Sequence, residues 1–382
     1  MGLDMDTNGI AARARKARNW MFEDAFELWS TAGVHPRLGF HERLQLDAAP
    51  ADDETSRVRV QARQVFCFAL ARQLGWNAAR ADEMIAHGLD ALIGHCRRDD
   101  GLYGRRMAYS GGLADATADL YDTSFALLAL SWAARTGHER AAKAARDVSD
   151  AVEAHLRRPD EEGGYREALP AAGTRLQNPH MHLFEASLGQ YEALGDADAL
   201  QRARRIEALL EQRFLQEKTG ALREAFAPGW GPSPDDRLEA GHQFEWVWLM
   251  GDRARLDGEP ISGAADGLYK NAVGLTGPGG AVLLEHEPDG TLRDASERTW
   301  GLTEALKAHI FRHEHGDRDA AVRIGESFDR LWERHVAASP VAGGWLDRYG
   351  PGGEPASTDI TAATGYHLFM AFGELMRIAQ LD

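Results

Sequence analysis

One polar or ionisable side chain recurs about once every 60 residues along this chain, inside otherwise apolar segments. These residues are Arg63, Tyr121, His182, His242, Glu304 and His367. Histidine titrates near neutral pH and often transfers protons, and a carboxylate in an apolar segment is costly unless it is paired. Since no Ser or Cys nucleophile motif is evident, the set suits proton transfer better than covalent catalysis.

The segment around His242 concentrates this chemistry. His242 and Glu245 are three residues apart, which places both on one helix face, and large apolar residues follow them. A lone histidine there is more often a hydrogen-bonded core residue, but recurrence in every repeat favours a shared cavity. Asn178 and Arg298 lie within a turn or two of ring members and are expected to add to that cavity.

Glycines mark the elements that must position these residues. Glycine-led segments begin, about 60 residues apart, at Gly39, Gly101, Gly163, Gly220, Gly279 and Gly343. A second series of glycines runs out of phase with the first and comprises Gly75, Gly137, Gly195, Gly258 and Gly316. This placement is typical of turns between helices, because glycine tolerates positive φ. The stretch before each turn is apolar on most sides, as in a buried helix, and the stretch after it is rich in Ala and charged residues.

This pattern predicts twelve helices in six hairpins. The inner helices are expected at 61–74, 121–136, 182–194, 242–256, 299–315 and 361–379. The outer helices are expected at 10–31, 77–97, 139–157, 197–214, 260–276 and 318–336. Such an all-α chain closes most economically as an (α/α)6 barrel, with an open solenoid as the alternative. We therefore expect residues 1–382 to form a single (α/α)6-barrel catalytic domain, with its glycine-led loops at one end.

Composition excludes several partners. The 382 residues carry a net charge of −16 and no long basic run, so a nucleic-acid footprint is missing. No apolar run approaches the roughly 20 residues of a membrane span. Cys67 and Cys96 lie in apolar, helix-like surroundings, which indicates buried thiols in a reducing compartment. We expect a cytoplasmic monomer or small homo-oligomer without nucleic-acid or membrane partners.

Two other chemistries fit part of the set. His180 and His182 form an HxH pair that could bind zinc, but residues two apart at a helix start point in different directions, and no HExxH motif is present. Glu245 and Glu304 could serve as the opposed carboxylates of a glycoside hydrolase, although the histidines would then have little to do.

Six motifs together resemble the N-acylglucosamine 2-epimerase superfamily. They are QARQVF at 61–66, YDTSFALLA at 121–129, NPHMHLFEA at 178–186, GHQFEW at 241–246, RTWGLTEA at 298–305 and YHL at 366–368. The resemblance spans all six repeats and is strongest to the D-mannose isomerases. The superfamily also holds sugar 2-epimerases, cellobiose 2-epimerases and a sulfoquinovose isomerase, all on the same helical barrel.

Carried over by position, the resemblance implies that His242 and His367 are the acid/base pair. Residues implied to bind the sugar or tune the histidines are Arg63, Tyr121, Asn178, His182, Glu245 and Glu304, and Arg298 is expected beside them. The sulfoquinovose isomerase has a glutamine where this chain has Ala363, which favours an unmodified hexose. Trp248 or Trp300 is expected to limit the room near C2.

A reducing sugar loses its C2 proton only after the ring opens. We assign ring opening to His242, with Glu245 orienting its imidazole and raising its basicity, and C2 proton abstraction to His367. Arg63, assisted by His182 or Tyr121, is expected to stabilise the enediolate.

Proton return to C1 gives a ketose, whereas delivery to C2 from the opposite face gives the 2-epimer. We expect interconversion of D-mannose and D-fructose. The alternatives are a sugar 2-epimerase of the N-acylglucosamine or mannose/glucose type and, less favoured, a glycoside hydrolase. No cofactor or metal is expected, because the hydrogen moves as a proton.

Overall fold

A computed structural model of the chain describes residues 3–158, 163–171 and 173–381. In chain order its α-helices are α1 (Leu3–Asn19), α2 (Phe26–Thr31), α3 (Val58–Gln73), α4 (Ala78–His95), α5 (Leu120–Arg135), α6 (Glu139–Ala151), α7 (Gln177–Leu194), α8 (Ala197–Leu209), α9 (Ala240–Asp257), α10 (Ala264–Gly274), α11 (Thr299–Glu314), α12 (Ala320–Leu331) and α13 (Gly365–Ile378). The odd-numbered helices from α3 to α13 are almost wholly buried.

Short irregular helices extend this set. π-Helical turns at Trp20–Ala25, Val152–Leu156, Leu210–Phe214 and Trp332–Val336 join α1 to α2 and lengthen α6, α8 and α12. 3₁₀ turns lie at Pro228–Trp230, Pro278–Gly280 and Ala362–Thr364. Residues 3–31 therefore act as one outer helix, in agreement with the helix expected over 10–31.

The buried helices form a closed inner ring. Each packs against the next from α3 to α13, and α13 packs against α3. On the outside, α4, α6, α8, α10 and α12 each pack on the inner helix that precedes them, and α1 packs on α13. The predicted (α/α)6 barrel is confirmed, and ring closure excludes the open solenoid.

The main boundary errors concern where helices begin. α7 begins at Gln177 rather than at residue 182, because Pro179 is tolerated in a first helical turn. α10 begins at Ala264 rather than at residue 260, since the stretch around Pro260 continues the preceding loop. The predicted inter-helix glycines are confirmed, for example Gly195 with a φ of +66°.

Short antiparallel strands connect the loops at the N-terminal ends of the inner helices. They are β1 (Arg43–Leu44), β2 (Thr55–Arg57), β3 (Arg106–Ala108), β4 (Leu113–Asp115), β5 (Ala118–Asp119), β6 (Ala168–Leu169), β7 (Arg175–Leu176), β8 (Ala225–Phe226), β9 (Leu283–His286), β10 (Leu292–Arg298), β11 (Arg348–Tyr349) and β12 (Ile360–Thr361). The sheets are β2-β3-β4, β5-β6, β7-β8, β9-β10-β11 and β1-β12.

These sheets tie each repeat to its neighbour. Strands β2, β5, β7 and β10 each run directly into an inner helix and pair with a strand from the following repeat. The pairing of Arg43 with Thr361 joins the first and last repeats, and a bridge between Leu238 and His286 links the remaining pair. The result is a continuous rim around one mouth of the barrel.

Cys67 and Cys96 are both free thiols buried in the barrel wall, as predicted. Burial raises the pKa of each thiol. Among the described helices, none combines the length and apolar character that a bilayer crossing requires.

Candidate active site

The rim surrounds a cavity of about 770 Å³ at the N-terminal ends of the inner helices. It brings together eight of the nine predicted site residues, namely Arg63, Tyr121, Asn178, His182, His242, Glu245, Arg298 and His367. The ninth, Glu304, does not line the cavity. Its carboxylate is fully buried behind His367. Of the two roles predicted for Glu304, binding the sugar or tuning a histidine, this geometry favours the second.

His242 is held by carboxylates that the sequence reasoning did not identify. Its Nδ1 lies 3.0 Å from Glu224 Oε2 and 3.4 Å from Glu239 Oε2. Glu245 lies one turn deeper, with its Oε1 4.0 Å from His182 Nδ1. It does not make the predicted orienting contact with His242, although its negative charge contributes to raising the pKa of His242, as predicted. Burial alone disfavours the imidazolium, but Glu224 and then Glu239 outweigh it and raise the pKa of His242 to about 10.

His367 has the opposite electrostatic environment. Burial, followed by the positive charges of Arg63 and Lys307, holds the pKa of His367 well below its usual range. Its Nδ1 lies 2.9 Å from Glu304 Oε1, so the proton of the neutral ring is on Nδ1. The lone pair of Nε2 is therefore available on the cavity side.

The two histidines thus flank one space with different protonation states. The Trp300 ring lies between them, with centroid distances of 4.7 Å to His242 and 6.4 Å to His367. One imidazole is a charged proton donor and the other a neutral proton acceptor. Titratable groups whose surroundings push their pKa values apart in this way are the usual acid and base of a proton-transfer site.

Arg63 supplies positive charge to the same space. Its guanidinium donates to Tyr121 Oη at 2.9 Å and to the Ala363 carbonyl at 3.1 Å. Within the described ranges no carboxylate is in ion-pair distance of Arg63, so its charge is not neutralised locally. His182 stacks edge-on against Tyr121 at 4.9 Å, and its Nδ1 lies 3.1 Å from Glu185 Oε2. The arrangement can stabilise negative charge on a bound oxygen.

Further arginines line the outer part of the cavity, each paired with a carboxylate. The pairs are Arg57 with Glu42, Arg59 with Asp122, Arg105 with Asp119, Arg237 with Glu239 and Glu285, and Arg298 with Asp347. Arg298 thus lies where the sequence placed it, although its charge is compensated.

Among the residues that the structure describes, two clusters contain enough ligand atoms for a metal ion: Glu224 with Glu239 and His242, and His182 with Glu185 and Glu245. The HxH zinc pair does not form. His180 Nδ1 lies 2.8 Å from the Leu176 carbonyl, and its Nε2 accepts the Tyr165 amide. His180 is therefore a core histidine whose two nitrogens bond to the backbone, as its spacing from His182 suggested.

A second cavity, of about 840 Å³, opens at the other end of the barrel. Trp248 lines this second cavity and is absent from the first. Of the two tryptophans expected to limit the room near C2, Trp300 is therefore the one that reaches the histidines.

The family model of N-acylglucosamine 2-epimerase (GlcNAc 2-epimerase) matches residues 39–371. The chain belongs to this family. Relatives named mannose isomerase, described below, agree with this assignment, and the chain is a sugar isomerase or epimerase.

The relatives are similar over nearly their whole length. The chain is 33% identical to a protein of Rhizobium meliloti (strain 1021) named mannose-6-phosphate isomerase, covering 98% of both chains. It is 28% identical to the D-mannose isomerase of Thermobifida fusca, covering 93% of both.

Solved structures share the fold. A D-mannose isomerase crystal structure superposes with a TM-score of 0.85 at 20% identity, covering 94% of this chain and 96% of that one. The cellobiose 2-epimerase of Spirochaeta thermophila DSM 6192 gives 0.88 at 17% identity, covering 97% of both chains.

Proposed function

We propose that this epimerase-family member is an aldose–ketose isomerase that interconverts D-mannose and D-fructose, with residues 1–382 acting as one catalytic domain. The observation that carries the proposal is the placement of His242 against two buried carboxylates, and of His367 near Arg63 and Lys307, across one cavity. This placement favours the imidazolium at His242 and the neutral imidazole at His367. An isomerase needs an acid for the ring oxygen and a base for the C2 proton, and these two protonation states supply them.

In the first step, His242 donates its Nε2 proton to the ring oxygen O5 and then accepts the proton of O1, which opens the ring and leaves an aldehyde at C1. The side-chain amide of Asn178 lies beside this atom, with its nitrogen 3.3 Å from His242 Nε2. Because both ring nitrogens of an imidazolium donate, the amide oxygen is the group that can accept from Nε2 in the charged state. Because Glu224 and Glu239 favour the imidazolium, the proton is in place before the sugar binds.

In the second step, His367 Nε2 removes the C2 proton and returns it to C1, while the O2 proton moves to O1. The enediolate between these events carries negative charge on oxygen. Arg63 stabilises that charge, because its guanidinium lies in the cavity without a carboxylate partner among the described residues. Preorganised donors of this kind typically contribute about 10² to 10³ in rate.

A 2-epimerase remains the alternative within the family, and the side of the enediolate that His242 occupies would decide it. A glycoside hydrolase is disfavoured, since Glu304 is withdrawn from the cavity and paired with Lys307.

A phosphorylated hexose is a second candidate substrate. The arginines that line the outer part of the cavity favour a phosphorylated substrate, because guanidinium groups bind phosphate well. One relative is also named mannose-6-phosphate isomerase. The existing carboxylate partners of these arginines favour the free hexose.

The test is a substrate panel of D-mannose, D-glucose, N-acetyl-D-mannosamine, cellobiose and mannose 6-phosphate, with products identified by chromatography. We expect D-mannose to be converted to D-fructose with the highest kcat/KM, and His367→Asn to abolish the reaction. His309→Asn is the matched control, because His309 is also a buried inner-helix histidine, bonded to Tyr269 Oη at 2.9 Å. A panel in which mannose gives no fructose contradicts the proposal.

A further inference from the structure

Lys307 is a fully buried cation directly behind the cavity. It lies on α11, one turn after Glu304, and its Nζ is 2.6 Å from Glu304 Oε2. The ammonium also lies 4.0 Å from the ring centroid of Trp248, which faces the second cavity. Through Glu304, whose other oxygen contacts His367 Nδ1, Lys307 is connected to the cavity without lining it.

Stability does not account for this lysine. Lysine is almost never fully buried unless it is paired, and exchanging a buried ion pair for apolar residues of similar size is often neutral or stabilising. A barrel wall made largely of Leu, Ala and Phe could close this position without charge. The pair therefore calls for a role in the adjacent site.

We propose that Lys307 is a positioning residue that sets the tautomer of His367 by holding Oε2 of the Glu304 carboxylate, so that Oε1 accepts from His367 Nδ1. This inference rests on the proposed function, in which His367 Nε2 must carry a lone pair. An ionised Glu304 accepts only, so it requires the proton of the neutral imidazole on Nδ1 and leaves Nε2 bare. A protonated Glu304 donates to Nδ1 instead and moves the ring proton to Nε2, where it blocks C2 proton abstraction.

The surroundings of Glu304 make this dependence strong. The other charged or titratable groups facing Lys307, Glu304 and His367 are Glu185 and His182 on α7, Glu245 on α9, Tyr366 on α13 and Arg63 on α3. Burial and then Glu304 hold the pKa of Glu245 well above its ordinary range. Glu185 is engaged by His182 and by Tyr366 Oη. Lys307 is thus the cation in contact with Glu304.

The first test is Lys307→Met, which has nearly the same length and no charge. The variant removes the cation that holds the carboxylate of Glu304 in its accepting role, and kcat should fall by about 10² to 10⁴, the usual contribution of a general base. ¹⁵N NMR should report the His367 proton on Nδ1 in the wild type and on Nε2 in the variant.

A second test reverses the hydrogen-bond logic. In Glu304→Gln, Lys307 can only donate, so it holds the amide oxygen and turns the amide NH₂ toward His367 Nδ1. That arrangement imposes the wrong tautomer, for which a loss of about 10⁴ in kcat has precedent in the serine protease triad. Adding Lys307→Met frees the amide oxygen to accept from Nδ1. The double variant should therefore be at least about tenfold more active than Glu304→Gln alone.

The double variant also removes both buried charges, so it keeps the test available if Lys307→Met fails to fold. Arg202→Met is the matched control, since Arg202 is an equally buried cation whose side chain bonds to Ser187, Ser149 and Gln190 outside the cavity. Arg202→Met should lower the thermal stability of the protein without changing the tautomer of His367.

The inference is overturned if Lys307→Met leaves the His367 proton on Nδ1, or if the double variant is no more active than Glu304→Gln. Because the NMR measurement uses no sugar, it separates this inference from the proposed function. A wild type that converts no sugar but shows the expected tautomers defeats the proposed function alone.

Discussion

Replacing Glu224 by glutamine should lower the pKa of His242 and shift the alkaline limb of the pH profile. Glu224 is buried and lies 3.0 Å from His242 Nδ1, closer than Glu239. An opposite charge at such range typically shifts a pKa by roughly 1 to 3, which corresponds to about 1.4 to 4 kcal/mol. The wild-type pKa of His242 is raised to about 10. In Glu224→Gln the alkaline limb should therefore lie lower by roughly 1 to 3 pH units.

The sign follows from the role of His242. Ring opening needs the imidazolium as donor, so kcat/KM falls as the pH rises through the pKa of His242. Stability follows the same direction, because the pKa is raised on folding from about 6.5. The stabilising contribution is fully present below about pH 6.5 and is lost as the pH rises through about 10.

The assay is kcat/KM for D-mannose between about pH 6 and 11, with thermal unfolding recorded on the same samples. Glu167→Gln is the control, since Glu167 also lines the cavity but pairs with Arg175 at 2.8 Å instead of a catalytic histidine. An alkaline limb that stays in place in Glu224→Gln, or that moves to higher pH, refutes the assignment of His242 as the charged donor.

Other substitutions separate binding, catalysis and packing. Gly241→Ala places a Cβ 2.3 Å from the Trp300 ring, so the indole should move into the cavity and raise KM in steady-state assays. Gly251→Ala places a Cβ 2.4 Å from Phe311, away from the cavity that holds the histidines. It should lower the free energy of unfolding by about 1 to 3 kcal/mol in denaturant without changing KM. Arg63→Met should lower kcat by about 10² to 10³, and an unchanged kcat would remove Arg63 from the mechanism.

Most of the architecture is readable from the sequence because each hairpin repeats one physical requirement. A buried apolar helix, a positive-φ glycine such as Gly137, and an Ala-rich charged helix recur about every 60 residues. The rim strands were not predicted as pairs between repeats. Two-residue strands such as β5 and β7 are too short to show alternation, and their pairing depends on ring closure.

The sequence predicted the site residues that lie on the inner helices better than those that lie in the loops. His242 and His367 stand out because ionisable side chains are unexpected in apolar helices. Glu239 is three residues before His242, the same spacing as Glu245, so the pattern allowed either partner. Glu224 lies in a loop, about 18 residues away, and no local spacing connects it to His242. Lys307 follows Glu304 by one turn, a signal that the sequence reasoning missed.

Transfer of the C2 proton is the central claim, and its most direct test is incubation with D-mannose in D₂O, with and without EDTA, followed by NMR. We expect D-fructose, formed at the same rate in both samples, with deuterium entering at C1 in those turnovers in which the proton held by His367 exchanges with solvent before it is returned. D-Glucose as the first product, with deuterium at C2, would establish epimerisation instead. Loss of turnover in EDTA, or no change in the sugar, would contradict the account.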